Sequence, residues 1–211
     1  MEIDRRNLLK ILGGMVVATA GGVLIPYDAE SATVLRERQK VDSDLPEEFF
    51  RHHGTTKREI LEIVNMSEYS RGPAPFRDFD PRKVSFYPRD NPFVFVGNAS
   101  YYTTKESGRI TATGAPFVDD LPTIAINPRT RAHLPSLVKL TNLEEEGGKY
   151  GKSILAVAND RGPYYPKRLP KLVPHPDRIV DLSQESKRCL GFDPEQGTYR
   201  VRLEVIESYE I

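Results

Sequence analysis

The chain has 211 residues, enough for one ordinary domain plus extensions. Its 30 Lys+Arg balance its 30 Asp+Glu, which argues against a generic polyanion binder, since nucleic-acid readers carry a basic excess. A single cysteine, Cys189, excludes an intrachain disulfide, and four histidines without a CxxC pair argue against a Cys/His zinc cluster.

In chain order, residues 1–32 read as an export signal. A short charged start precedes an apolar run from Ile11 to Ile25, which stops at Pro26. That run is shorter than the roughly 20 residues of a bilayer-spanning helix, and it is rich in Gly and Ala. DRRNLLK (Asp4–Lys10) resembles the twin-arginine export motif. The alternatives are an ordinary charged start or an uncleaved anchor, and membrane attachment would run only through such an uncleaved segment. The expected location is the periplasm or cell envelope.

Residues 33–92 read as an irregular and partly helical extension. Thr56-Lys57-Arg58-Glu59 fits a capping box ahead of Ile60, Leu61, Ile63 and Val64, which predicts one short helix over 56–66. The stretch from Arg71 to Pro92 holds five prolines and cannot sustain a regular element. Its aromatics, Phe76, Phe79, Phe86 and Tyr87, are expected to dock it on the domain that follows.

From residue 93 to residue 211 the pattern changes to short strands. These are FVFVGNASYYT (Phe93–Thr103), LVKLTNL (Leu137–Leu143), SILAVAN (Ser153–Asn159), RIVDLS (Arg178–Ser183) and TYRVRLEVIE (Thr198–Glu207). Gly97 marks a bulge or a close approach of two backbones. The last strand alternates strictly, with Tyr199, Val201, Leu203 and Val205 on one face. One short helix intervenes, with Ser183 as its N-cap, QESKRCL as its body and Gly191 as its stop. On it Cys189 and Leu190 face the core, so Cys189 reads as a buried thiol. Short strands, Gly/Pro turns and one small helix predict a small closed or nearly closed β-barrel.

Two aspartates are the candidate chemistry. On residue type alone, Asp160 in NDRGPYYP is either a turn residue that receives backbone N–H bonds, braced by Arg161, or half of an active site. Asp181 sits in an apolar strand just before a helix; Ser183 is the better cap for that helix. Ser100 and Thr111 read as ordinary strand or turn hydroxyls.

Seven motifs occur in order: GNASYYT (Gly97–Thr103), SGRITATG (Ser107–Gly114), LPSLVKLTNLE (Leu134–Glu144), GKSILAVANDRGPY (Gly151–Tyr164), RIVDLS, LGF (Leu190–Phe192) and VRLEVI (Val201–Ile206). Together they resemble the rare lipoprotein A (RlpA) family, whose relatives include MltA-type lytic transglycosylases and expansins. The resemblance implies a mainly β fold, a six-stranded double-psi β-barrel. It implies endolytic cleavage of peptidoglycan glycan strands stripped of stem peptides, leaving anhydro-muramyl ends, with no cofactor and no metal. By motif it places Asp160, Asp181 and Ser100 along one groove, with Asp181 as acid/base and Asp160 as its partner. Tyr102, Thr111, Arg161 and Tyr164 are the expected substrate contacts, and Tyr101 and Tyr165 are further stacking candidates. The expected partner is the glycan strand rather than nucleic acid, bound by a monomer.

The chemistry needs one carboxyl to protonate the leaving oxygen, while the sugar's own 6-hydroxyl displaces it. A second carboxylate nearby raises the pKa of the first; pairing with Arg161 or Arg109 would lower it and favour a structural role. A non-catalytic, expansin-like glycan-binding module is the alternative. In its support, the family's acidic and histidine positions fall here on Ala115, on Val118 or Asp119, and on Ile126 or Arg129, with His133 out of register. The link Tyr164–Arg178 is longer than the family's and forms either a groove rim or a plain surface loop.

Overall fold

The computed structural model describes residues 41–72, 93–103, 110–145, 149–165, 173–193 and 196–211. The export signal, the proline-rich stretch over 73–92 with its four aromatics, and Arg109 lie outside the described residues.

Six strands make the barrel: β1 (Val94–Tyr101), β2 (Thr123–Ile126), β3 (Ser136–Asn142), β4 (Ser153–Arg161), β5 (Arg178–Leu182) and β6 (Tyr199–Ser208). They close in the order β1-β5-β2-β4-β3-β6. β1 runs parallel to β5 and β2 parallel to β4, while the other contacts are antiparallel. The chain is thus mainly β, a closed six-stranded barrel.

Alternation fixes which side chains fill the barrel. On β6, Tyr199, Val201 and Leu203 are buried while Arg200 and Arg202 are exposed. They meet Ile124 and Ile126 of β2, Ala156 and Ala158 of β4, and Val180 and Leu182 of β5 in the interior. Each of the Ile, Leu and Val side chains among them stabilises the fold by roughly 1.5–3 kcal/mol when fully buried.

Part of the extension belongs to a second core on the outside of the barrel. Helices α1 (Glu47–His52) and α2 (Lys57–Val64) bring Phe50, Ile60, Ile63 and Val64 against Leu137, Leu155, Val157 and Tyr209. α2 is the helix that the capping box predicts. Thr56 Oγ1 accepts from the Glu59 backbone N–H at 3.2 Å, and Glu59 Oε2 accepts from the Thr56 N–H at 2.9 Å. α1 has no comparable signal: it is six residues long, follows Pro46 without a side-chain cap, and is anchored by fully buried Phe50.

Helix α3 (Gln184–Leu190) starts and stops where its caps predict. Ser183 Oγ accepts from Ser186 N–H at 3.1 Å, and Gly191 takes the left-handed conformation with φ 75°. Leu190 is fully buried. Cys189 is half-buried, and burial together with neighbouring Glu185 pushes its thiol pKa up, as suits a packing residue rather than a nucleophile. Strand β2 is the element that pattern reading misses, because its four residues, set between Pro122 and Asn127-Pro128, carry too little periodicity.

Candidate active site

Strand register aligns four residues across the barrel wall. Ser100 of β1 pairs with Asp181 of β5, Asp181 pairs with Ala125 of β2, and Ala125 pairs with Asp160 of β4. Paired residues in neighbouring strands share a face. Ala99, Ile124, Ile126, Val180 and Leu182 fill the interior, so the row Ser100–Asp181–Ala125–Asp160 lies on the outer face. The two aspartates stand two strands apart, about 10 Å between backbones at ordinary strand spacing. Ala125, whose side chain ends at Cβ, stands between them and is itself buried, clustered with Tyr102 and Phe117.

Two bulges create this arrangement. Thr123 and Ile124 pair with Val157 and Ala158, and then Ala125 pairs with Asp160, which leaves Asn159 as the extra residue of β4. Without it Asp160 would fall on the inward side of the alternation. On β5, Asn98 pairs with Arg178 and Ala99 with Val180, so Ile179 is extra. Residues three apart on a regular strand face opposite ways. Here Arg178 and Asp181 share a face, with Arg178 Nη1 3.7 Å from Asp181 Oδ1. Gly97 is the close approach expected from the sequence: a Cβ there would lie 2.5 Å from Ile179 Cγ2.

Asp181 is held by Ser100, whose hydroxyl donates to Asp181 Oδ1. The same hydroxyl accepts from Arg178 Nη1 at 2.5 Å, and Arg178 Nη2 donates to the Tyr164 carbonyl at 3.3 Å. The turn after β4 closes on the other carboxylate oxygen: a Cβ on Gly162 would lie 3.3 Å from Asp181 Oδ2 and from Ala125 Cβ. Asp160 Oδ1 accepts from the backbone N–H groups of Ala112 and Arg161, each at 2.8 Å. Burial nevertheless raises the Asp160 pKa, helped by the negative charge of Asp181 and opposed by those two N–H bonds and by Arg71.

Tyr102 underlies both acids. Its ring stacks on Phe117 at 4.5 Å and packs against Ala125. Its hydroxyl is buried; the Thr123 hydroxyl lies beside it without completing a hydrogen bond. Burial, then the charges of Asp160 and Asp181, push the phenol pKa well up. With 7% exposure, Tyr102 offers a sugar no stacking surface.

The other expected contacts fall in different places. Thr111 is buried, and its hydroxyl donates to the Ala115 carbonyl at 3.0 Å, closing the TATGA turn. Arg161 Nη2 donates to the Gly72 carbonyl at 2.8 Å. The half-exposed phenol of Tyr164 lies close enough to Arg161 and Asp160 to feel both charges. Tyr165 is exposed, with its ring centroid 5.1 Å from that of His175. The Lys187 ammonium lies 3.6 Å from the Tyr101 ring centroid. Of the tyrosines expected as contacts, Tyr165 is therefore the most open, with Tyr164 half-exposed. Of the departures from the family pattern, Ala115 is fully buried and Ile126 is barrel core, while the Asp119 charge reaches Tyr102. Arg178 and Ala125 are site residues that the sequence does not announce, since both depend on strand pairing. Among the described residues no three His, Cys, Asp or Glu side chains converge as a metal site.

No family model matches the chain. It is 37% identical over 128 residues to the endolytic peptidoglycan transglycosylase RlpA of Pseudomonas aeruginosa, covering 60% of this chain and 32% of that one. It is 36% identical over 118 residues to the protein of that name from Neisseria meningitidis, 54% of this chain and 40% of that one. With the Vibrio cholerae protein of that name it shares 33% over 132 residues, 62% and 43% of the two chains. The barrel is RlpA-like. The match spans less than half the length of these RlpA relatives. Among solved structures, a Streptomyces papain inhibitor aligns at TM-score 0.37 and 16% identity, over 59% of this chain and 99% of that one. The expansin of Clavibacter michiganensis aligns at TM-score 0.35 and 16% identity, over 55% and 52%.

Proposed function

We propose that this protein is exported to the periplasm and cleaves peptidoglycan glycan strands there as an endolytic transglycosylase, leaving anhydro-muramyl ends. The observation that carries the reading is the outward row in which Asp160 and Asp181 flank Ala125, with Asp160 held toward its neutral form. The RlpA-like character of the barrel supports it.

The two carboxyls divide the work between them. Asp160 donates its proton to the glycosidic oxygen as the bond from that oxygen to C1 breaks. The 6-hydroxyl of the same sugar closes on C1, and its proton passes to the carboxylate of Asp181. The dyad holds one proton before and after turnover, and no water enters the products. Ser100 and Arg178 fix the orientation of Asp181. The motif resemblance assigns the acid role to Asp181; its pairing with Arg178 is the reason to give the proton to Asp160 instead.

A second reading, a non-catalytic glycan-binding module, is favoured by the same Arg178–Asp181 pair and by the burial of Ala115 where an acid is expected. Digestion of purified, peptide-free glycan strands, with mass detection of the fragments, separates the two. Anhydro-ended fragments are the expected product. Intact strands that still co-sediment with the protein would establish the binding module instead.

A further inference from the structure

The link between β4 and β5 turns back on itself beside Asp181. Tyr164 and Pro174 form an antiparallel bridge, the Tyr165 N–H donates to the Val173 carbonyl at 2.9 Å, and the His175 N–H donates to the Pro163 carbonyl at 3.0 Å. The His175 ring lies against that of Tyr165, with centroids 5.1 Å apart. One edge of the link thus rests on the turn whose Gly162 closes on Asp181 Oδ2. The other edge runs into β5, and His175 sits at the join.

The Nδ1 atom of His175 accepts from the backbone N–H groups of both Asp177 and Arg178, each at 3.2 Å. A backbone N–H can only donate, so Nδ1 carries a lone pair and the ring proton sits on Nε2. The His175 carbonyl accepts from Asn127 Nδ2 at 2.9 Å, and the same amide donates to the Arg178 carbonyl at 2.7 Å. Asn127, just after β2, is fully buried. Arg178 is therefore gripped at its N–H by His175 and at its carbonyl by Asn127. That grip fixes the backbone from which its guanidinium reaches the Ser100 hydroxyl and Asp181 Oδ1. Asp, Asn and Ser side chains commonly close turns by accepting such nearby backbone N–H groups. His175 does so with a group that titrates near neutrality.

We propose that His175 is a positioning residue for Asp181, acting through the Nδ1 bonds that hold Arg178 at the start of β5. This rests on the transglycosylase reading for its effect on rate, not for the grip itself. A proton on Nδ1 turns the acceptor into a donor, so both bonds are lost and Arg178 is released at its N–H. Burial, then the charge of Arg178 on β5, hold the ring in its neutral form; Arg129 of the Pro128–Thr130 turn adds to them and Asp177 opposes them. The grip therefore holds at neutral pH and lets go on the acid side of the ordinary histidine value, about 6.5.

The test follows the whole protein by nitrogen-15 NMR as pH is lowered, beside His175→Asn, whose side-chain oxygen accepts the same bonds without titrating, and His175→Ala. In the wild type the Asp177 and Arg178 amides are expected to lose exchange protection, and the Arg178 guanidinium signals to shift, with the midpoint of the His175 ring. His175→Asn should show neither change over that interval. On peptide-free strands His175→Ala is expected to lose roughly tenfold in rate at neutral pH, the weight of one ordinary hydrogen bond, while His175→Asn keeps its rate. The ratio of His175→Asn to wild-type rate should then rise as pH falls through the ring titration. Amides that open while the Arg178 guanidinium stays put would overturn the inference, because His175 then only closes its loop. A wild-type rate in His175→Ala, or a ratio that does not change with pH, would overturn it too. Coupled release of the amides and the guanidinium in a protein that cuts no strands would sink the transglycosylase reading and leave the grip on Arg178 standing.

Discussion

Asp160 and Asp181 share a face but not an environment. Asp160 is half-buried, with two backbone N–H bonds on one oxygen and the charge of Asp181 adding to the cost of ionisation. The sign for stability follows from linkage. A carboxyl whose folded pKa lies above its unfolded value binds more protons in the native state through that interval. Stability therefore falls as pH rises from the unfolded pKa to the raised folded one. Asp160→Asn removes that penalty, so its melting temperature is expected to gain on the wild type as pH climbs from about 4 toward neutrality. A constant difference across that range, in paired thermal melts, would show that Asp160 is not shifted. The same shift places the alkaline limb of the cleavage rate at the Asp160 pKa, and Asp181→Asn, which removes a charge raising that pKa, is expected to move the limb of any residual activity to lower pH. The motifs made both aspartates legible. Their unequal surroundings were not, since Arg178 reaches Asp181 only through a bulge that breaks strand alternation.

At the scale of the element, the site depends on two bulges more than on any single strand. Gly97 leaves room for Ile179, the extra residue of β5. Gly97→Ala is expected to destabilise the barrel by about 1–3 kcal/mol through overpacking. In the double variant with Ile179→Ala the cost should be less than the sum of the two single changes, because the added methyl enters the space vacated. Additive costs in denaturant titrations would mean that the glycine has some other role. Strands β1, β3, β4, β5 and β6 are visible in sequence through alternation or apolar runs. Strand β2 is not, although Ala125 at its centre is the residue that spaces the acids. Its small side chain becomes meaningful only once Asp160 and Asp181 are known to flank it.

For the whole molecule, the described residues belong to one compact unit, so the helical part of the extension is structural. Phe50 has no exposed surface and packs with Ile60 and Val64 over Leu137, Leu155 and Val157. Phe50→Ala is expected to cost about 3–5 kcal/mol, the usual loss for a buried aromatic ring. A version beginning at residue 73 should expose the outer face of β3 and β4 and bind a hydrophobic dye; an unaltered melting temperature would contradict this. Sequence marked α2 by its capping box but gave no sign that the helix seals the barrel, because that contact joins residues far apart in the chain. The segment after α2 is then tied to the barrel through Arg71 and Leu134, which exchange both backbone hydrogen bonds.

The central claim is that Asp160 and Asp181 together cut the glycan strand. It is tested most directly by measuring the rate at which anhydro-ended fragments appear from peptide-free strands for the wild type, Asp160→Asn and Asp181→Asn at matched folding. The account predicts fragments from the wild type and a loss of about a hundred- to ten-thousandfold in each variant, the range for removal of a general acid or base. Wild-type rates in either variant, or no fragments from a wild-type protein that still binds the strands, would contradict it.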